Sequence, residues 1–133
     1  MADPKVVFTN GCFDILHVGH IRYLAAASLH GDWLIVGLNS DESFRRHKGR
    51  NPINPEHWRY EQLMALKSVD EVRIFEEDTP EFLIQEIEPD VLVKGHDYKP
   101  EEVVGREYAK KTLCLQVGTQ IHTSDLIEKI KQI

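Results

Sequence analysis

Short apolar runs alternate with stretches of helical periodicity along this chain. Val6-Val7-Phe8, Trp33-Leu34-Ile35-Val36, Val72-Arg73-Ile74-Phe75, Val91-Leu92-Val93 and Leu113-Cys114-Leu115-Gln116-Val117 have the length and the β-branched and aromatic content of strands. Between the first two, Ile21, Leu24, Ala25 and Leu29 recur at helical spacing and predict an apolar helix face, with Gly31 as its stop. Thr79-Pro80 reads as a helix start, Thr as N-cap and Pro at the first helical position, with Phe82, Leu83 and Ile87 on the buried side. A last helix opens near Thr123 and carries Leu126, Ile127 and Ile130. One stretch, His47 to Pro55, breaks the pattern, because its glycine and two prolines oppose regular structure while basic residues gather there. The alternation predicts the α/β class: a single Rossmann-like, doubly wound domain over residues 1–133. Its parallel sheet of about five strands is flanked by helices, and ligands bind at the carboxyl ends of the strands.

Composition narrows the partners. A chain of 133 residues buries one core and not two. With 41% hydrophobic and 29% charged residues it falls among globular proteins rather than disordered ones. No apolar run approaches the ~20 residues needed to span a bilayer, and Met1-Ala2-Asp3-Pro4-Lys5 does not read as a signal peptide, so the expected location is cytoplasmic. A formal charge of −6 opposes binding of nucleic acid by the whole surface, so any polyanion is held locally. Cys12 and Cys114 have no zinc-ligand spacing, and Cys12 reads as a packing residue rather than a nucleophile.

The local anion site is expected where the first strand passes into the first helix, at Gly11-Cys12-Phe13-Asp14-Ile15-Leu16-His17-Val18-Gly19-His20. A helix N-terminus presents unsatisfied N–H groups and roughly half a positive charge, so it stabilises an anion before any side chain contributes. Gly11 and Gly19 leave room for close approach of backbone to ligand. His17 and His20 add ring donors three residues apart, a spacing that aims both at one side.

This segment meets every fixed position of the G-x-F-D-x-x-H-x-G-H signature and so resembles the cytidylyltransferase-like nucleotidyltransferases. Thr9-Asn10-Gly11-Cys12-Phe13-Asp14, Gly37-Leu38-Asn39-Ser40-Asp41, Glu76-Glu77-Asp78-Thr79-Pro80 and Val91-Leu92-Val93-Lys94-Gly95 are most similar to the adenylyltransferase branch of ADP-heptose synthesis. The resemblance runs from Val6 to Ile130 and implies transfer of a nucleotidyl group from a nucleoside triphosphate, ATP, to a sugar phosphate, with release of pyrophosphate.

The roles it implies are these. His17, His20 and Lys48 serve the triphosphate and the reacting centre; Asn10, Gly11, Cys12, Phe13, Asp14 and Gly19 form the nucleotide corner. Lys94, Gly95 and Asp97 bind nucleotide from the fourth strand, and Thr123 and Ser124 hold phosphates at the start of the last helix. Asn39 and Arg59 face the acceptor, although Arg59 could equally pair with Glu56 or Glu61 on a helix surface. Arg45, Arg46 and Arg50 read as solvated cations. His96 and His122 stand where the family has glycine and serine. Mg²⁺ is expected to ride on the triphosphate, with Asp14 either assisting it or shaping the turn. No nucleic acid or membrane partner is expected, and a homodimer is possible. Two alternatives stay open: a CTP-dependent relative acting on glycerol 3-phosphate or a phosphorylated amino alcohol, and a module that binds nucleotide without turning it over. A redox dinucleotide enzyme is disfavoured because no G-x-G-x-x-G follows the first strand.

Overall fold

Strand alternation organises the core. The structure, a computed structural model, describes residues 3–117 and 122–133; Met1, Ala2 and residues 118–121, Ile121 of the last motif among them, lie outside the described residues. In chain order the main elements are β1 (Val6–Gly11), α1 (Val18–Ser28), β2 (Trp33–Asn39), α2 (Asp41–Lys48), α3 (Glu56–Met64), β3 (Glu71–Phe75), α4 (Glu81–Ile87), β4 (Val91–Gly95), β5 (Lys111–Leu115) and α5 (Thr123–Lys131). All strand pairs are parallel, and the sheet order is β3-β2-β1-β4-β5. Successive strand residues face opposite sides. Val7, Leu34, Val36, Val91 and Val93 therefore pack on one face with Leu24 and Ala27 of α1 and Leu63 of α3. Phe8, Ile35, Phe75 and Leu92 pack on the other with Leu83 and Ile84 of α4. The sheet is thus doubly wound, as the apolar runs predict.

Several helical expectations are corrected. The inward face of α1 is Leu24 and Ala27, while Ile21, Ala25 and Leu29 are exposed, Leu29 at 85%. The stripe that faces inward, His20-Tyr23-Leu24-Ala27, begins with a histidine that turns to the ligand cleft, so a search for apolar residues alone selects the wrong side. Likewise Leu83 and Ile84 are buried on α4, Ile87 is half-buried and Phe82 is 64% exposed. Pro80 rather than Thr79 is the N-cap of that helix. On α5, Leu126 and Ile127 are half-buried and Ile130 is exposed. The fifth strand ends at Leu115, two residues short of Val117.

The largest correction is α2, because His47 and Lys48 belong to a helix and not to an irregular loop. Ser40 caps its start by accepting from the Ser43 N–H at 3.1 Å, and Gly49 ends it in the left-handed region at φ 72°. Acidic Asp41 and Glu42 open it and four basic residues close it, both favourable to the helix dipole. Only Ser43 and Phe44 are buried, so the hydrophobic periodicity that reveals a helix is absent.

Candidate active site

The strand order reverses at β1, with β2 on one side and β4 on the other, and a crevice opens beyond the carboxyl ends of these three strands. It is a cleft of about 940 Å³ reached by Gly11, Asn39 and Gly95 from the three strand ends. Every residue assigned to the site from the sequence lines it except Arg59.

The corner between β1 and α1 is built under strain. Phe13 and Ile15 take φ of 49° and 55°, the left-handed region that non-glycine residues rarely adopt, at a cost of about 1–3 kcal/mol each. Burial of the Phe13 ring, and a carboxylate clamp from Asp14, hold the turn. Asp14 is buried, and its two oxygens accept from the Ile53 and Asn54 N–H groups, both at 2.9 Å, with Arg50 at 3.6 Å. The expected alternative of a shaped turn is therefore what the Asp14 side chain makes. Gly11 is required for a related reason: a Cβ there would lie 2.9 Å from the Phe13 ring.

This turn delivers the two histidines. His17 is the N-cap of α1, and its Nδ1 accepts from the Gly19 N–H at 3.1 Å; His20 Nδ1 accepts from the His17 N–H at 3.2 Å. With both Nδ1 atoms accepting, the proton of each neutral ring sits on Nε2, so both rings are donors at their outer edge. The rings stack with centroids 3.8 Å apart, and Phe13 meets His20 edge-on. Burial, and then the neighbouring His17, push His20 down to about 4; burial lowers His17 too, with His122 contributing. Both are neutral at pH 7. His17 Nε2 is buried with no hydrogen-bond partner among the described residues, an unpaired N–H donor facing the cleft.

Arg59 is corrected. It is wholly buried and makes no surface pair with Glu56 or Glu61, nor does it line the cleft. Its Nε donates to the Asn54 carbonyl, Nη1 to the carbonyls of Cys12 and Asn39, and Nη2 to Asp41, all within 2.9 Å. One guanidinium thus ties together the β1 corner, the end of β2, the start of α2 and the loop before α3. Asn39 remains at the cleft, its amide donating to Ser43 Oγ at 3.0 Å.

On the opposite side β4 supplies Lys94, which donates to Asn10 Oδ1 at 3.2 Å and lies over the Tyr98 ring at 4.9 Å. Burial lowers the pKa of its ammonium, so it is a cation held with little water around it. A Cβ at Gly95 would lie 2.9 Å from Asp97. The Cys12 thiol is raised by burial, which opposes a nucleophilic role. At the start of α5 the Thr123 hydroxyl donates to the Asp14 carbonyl at 2.6 Å, and the Asp125 carboxylate accepts from the His122 N–H at 3.1 Å. These bonds bring the N-terminus of α5 against the histidine corner. Lys48, in the last turn of α2, makes no salt bridge among the described residues and reaches the cleft from the third side.

Residues that the sequence reading did not assign also line the cleft: Tyr23, Phe44, Asp78 and Thr79, with His47 and Arg50 beside Lys48. Tyr23 bonds Thr9 Oγ1 at 2.8 Å, and burial pushes its phenol up to about 12. None lies in the signature, but Asp78 and Thr79 follow a strand end, the position where an α/β sheet presents ligand contacts.

A crevice at a strand-order switch, walled by a neutral histidine pair, a half-buried lysine and two helix N-termini, defines a phosphate-handling α/β domain. The chain belongs to the cytidylyltransferase-like family, whose model matches residues 8–129, and is a nucleotidyltransferase of that class. It is 55% identical over 96% of its length to Bifunctional protein HldE of Helicobacter pylori strain G27, and 54% identical over 99% of its length to the protein of that name from Helicobacter hepaticus. The protein of that name from Nitratiruptor sp. is 51% identical over 96% of this chain. The chain spans 28% of the length of each of these relatives. Among solved structures, the lipopolysaccharide core biosynthesis protein from Thermoplasma volcanium GSS1 matches 98% of this chain and 88% of its own, at a TM-score of 0.66 and 29% identity. Among the described residues, no helix is long and apolar enough to cross a membrane.

Proposed function

We propose that this domain transfers the adenylyl group of ATP to the phosphate of a sugar 1-phosphate of the heptose type, giving a nucleotide sugar and pyrophosphate. The unpartnered Nε2 of His17, stacked on His20 in a neutral pair, is the observation that carries the reading. The acceptor phosphate is already an anionic nucleophile, so the reaction needs no general base. An acceptor oxygen bonds to the α-phosphorus as the bond from that phosphorus to the β-bridging oxygen breaks, and pyrophosphate departs with the electron pair. What remains for the protein is in-line placement and stabilisation of charge on the bridging and leaving oxygens. His17 and His20 donate from Nε2 to the α-phosphate and the leaving side. The free N–H groups at the start of α5, with Ser124, receive the departing phosphates, and Lys48 neutralises charge from the α2 side.

Among the described residues, no three His, Cys, Asp or Glu side chains converge as a metal cage, and the Asp14 oxygens are committed to backbone donors. A Mg²⁺ ion that keeps phosphate and water oxygens as most of its ligands fits this cleft, and would supply charge neutralisation on the triphosphate. ATP and a sugar acceptor are favoured by the resemblance of the four motif segments to the ADP-heptose branch, and by the structural neighbour's being a lipopolysaccharide core biosynthesis protein. A panel pairing ATP or CTP with heptose 1-phosphate, glycerol 3-phosphate and a phospho-amino alcohol, read by pyrophosphate release, tests the assignment. The proposal expects the highest kcat/KM for ATP with heptose 1-phosphate. Preference for CTP with glycerol 3-phosphate would replace it.

A further inference from the structure

The two halves of the cleft differ in chemistry. Toward β4 and β5 the wall sets the flat or apolar Tyr98, Val103, Val104 and Leu115 beside the polar His96, Asp97 and Glu102, a combination suited to a base. Toward β2 and β3 it carries the hydrogen-bonding groups of Asn39, His47, Asp78 and Thr79 beside Phe44 and Pro80, with the cations Lys48 and Arg50. A polyhydroxylated phosphate ester matches the second wall and a nucleobase the first.

The 76–80 segment is also held in place from outside the cleft. Arg46 Nε donates to Asp78 Oδ1 at 2.8 Å and its Nη2 to the Glu76 carbonyl, while His47 Nε2 bonds the Asp78 carbonyl at 2.5 Å. Ser43 Oγ donates to the Glu77 carbonyl at 3.0 Å. Four bonds from one face of α2 thus fix a short segment carrying no secondary structure of its own. The Thr79 hydroxyl accepts at 3.4 Å from the Glu81 N–H and donates to no described residue, which leaves its proton for a ligand. A carboxylate at Asp78 repels phosphate but accepts from sugar hydroxyls, so this wall faces the sugar, with the acceptor phosphate on the side of Lys48.

Resting on the reading of the acceptor as a sugar phosphate, we propose that Thr79 and Asp78 recognise the acceptor's ring hydroxyls. Arg46 is then a positioning residue that holds them in register through the face of α2. Steady-state kinetics of the full chain, varying ATP and heptose 1-phosphate separately, tests this with Thr79→Val and Arg46→Met. Thr79 and Arg46 are solvent-facing, so neither change removes core packing. The expected result is a rise of roughly tenfold in the KM for heptose 1-phosphate in Thr79→Val, about the loss of one hydrogen bond. A smaller rise is expected in Arg46→Met, with the KM for ATP unchanged in both; Arg46→Lys should restore part of the Arg46→Met loss. A KM for ATP that rises instead, or no change in either constant, would overturn the assignment of this wall. If the wild type turns over no sugar 1-phosphate but does use glycerol 3-phosphate, the acceptor reading itself is overturned and the wall assignment with it.

Discussion

At the residue scale the account rests on two neutral imidazoles. Because the Nδ1 atoms of His17 and His20 accept backbone protons, only Nε2 can donate, and removing either ring deletes a donor aimed at developing charge. His17→Ala and His20→Ala should each lower kcat by about 10²–10³ with the fold intact, measured by pyrophosphate release beside circular dichroism. Near-normal turnover in either would remove it from the reaction. A second consequence concerns acid. The unfolded chain binds a proton at His20 near the ordinary ~6.5, whereas the folded chain binds it only near about 4. Between those values the unfolded state holds more protons, so stability falls as pH drops from 6.5 toward 4 and changes no further on this account below that. Denaturant midpoints taken from pH 7 to 4 should decline more steeply in wild type than in His20→Asn. Parallel curves would mean that the ring titrates normally in the fold. The two histidines are legible in the sequence as candidates, but their protonation is not, because it depends on the strained turn at Phe13 and Ile15 and on the ring stack it creates.

At the scale of elements, one buried side chain couples four of them. The family resemblance places Arg59 at the acceptor, with a surface pair to Glu56 or Glu61 as the alternative. Instead its N–H groups meet carbonyls from three segments and the Asp41 carboxylate, a convergence that only the folded chain creates. Arg59→Met leaves those acceptors and the Asp41 charge unpaired, and should destabilise the fold by about 3–5 kcal/mol. A thermal midpoint within a few degrees of wild type would contradict that role. Asp14 offers the parallel case, its carboxylate accepting two backbone N–H groups so that the 51–55 loop closes on the corner. The strands were readable because alternation within β1, β2 and β4 separates two apolar faces. The helix α2 was not, since its signals are a cap, a charge gradient and a terminal glycine rather than an apolar stripe. That helix carries Lys48 to the cleft, where the proposed reaction uses its charge. Lys48→Ala should weaken ATP binding by calorimetry more than Arg50→Ala does, as Arg50 is already engaged with the Asn51 carbonyl and lies near Asp14. Equal effects would indicate a diffuse basic rim.

At the scale of the whole molecule, a net negative protein holds a polyanion by confining its donors to one crevice at the strand-order switch between β2, β1 and β4. Sheet topology explains why residues as far apart in sequence as Asn10, Lys48, Lys94 and Thr123 line one cleft: each lies at or just beyond a carboxyl end of the sheet or at a helix terminus facing it. The signature decapeptide and the strand ends made the location of this site readable from sequence. Asp78 and Thr79 lie in the 76–80 motif segment, but their place on the cleft was not readable, because it depends on bonds from α2 that only the fold brings to them. The central claim is chemical, and the most direct measurement is identification of products by mass spectrometry after incubation of the full chain with ATP, Mg²⁺ and heptose 1-phosphate. The expected products are an adenosine diphosphate sugar and pyrophosphate in equal amounts, with no free sugar released. Calorimetric binding of ATP with neither product formed would contradict the claim and leave a nucleotide-binding module in its place.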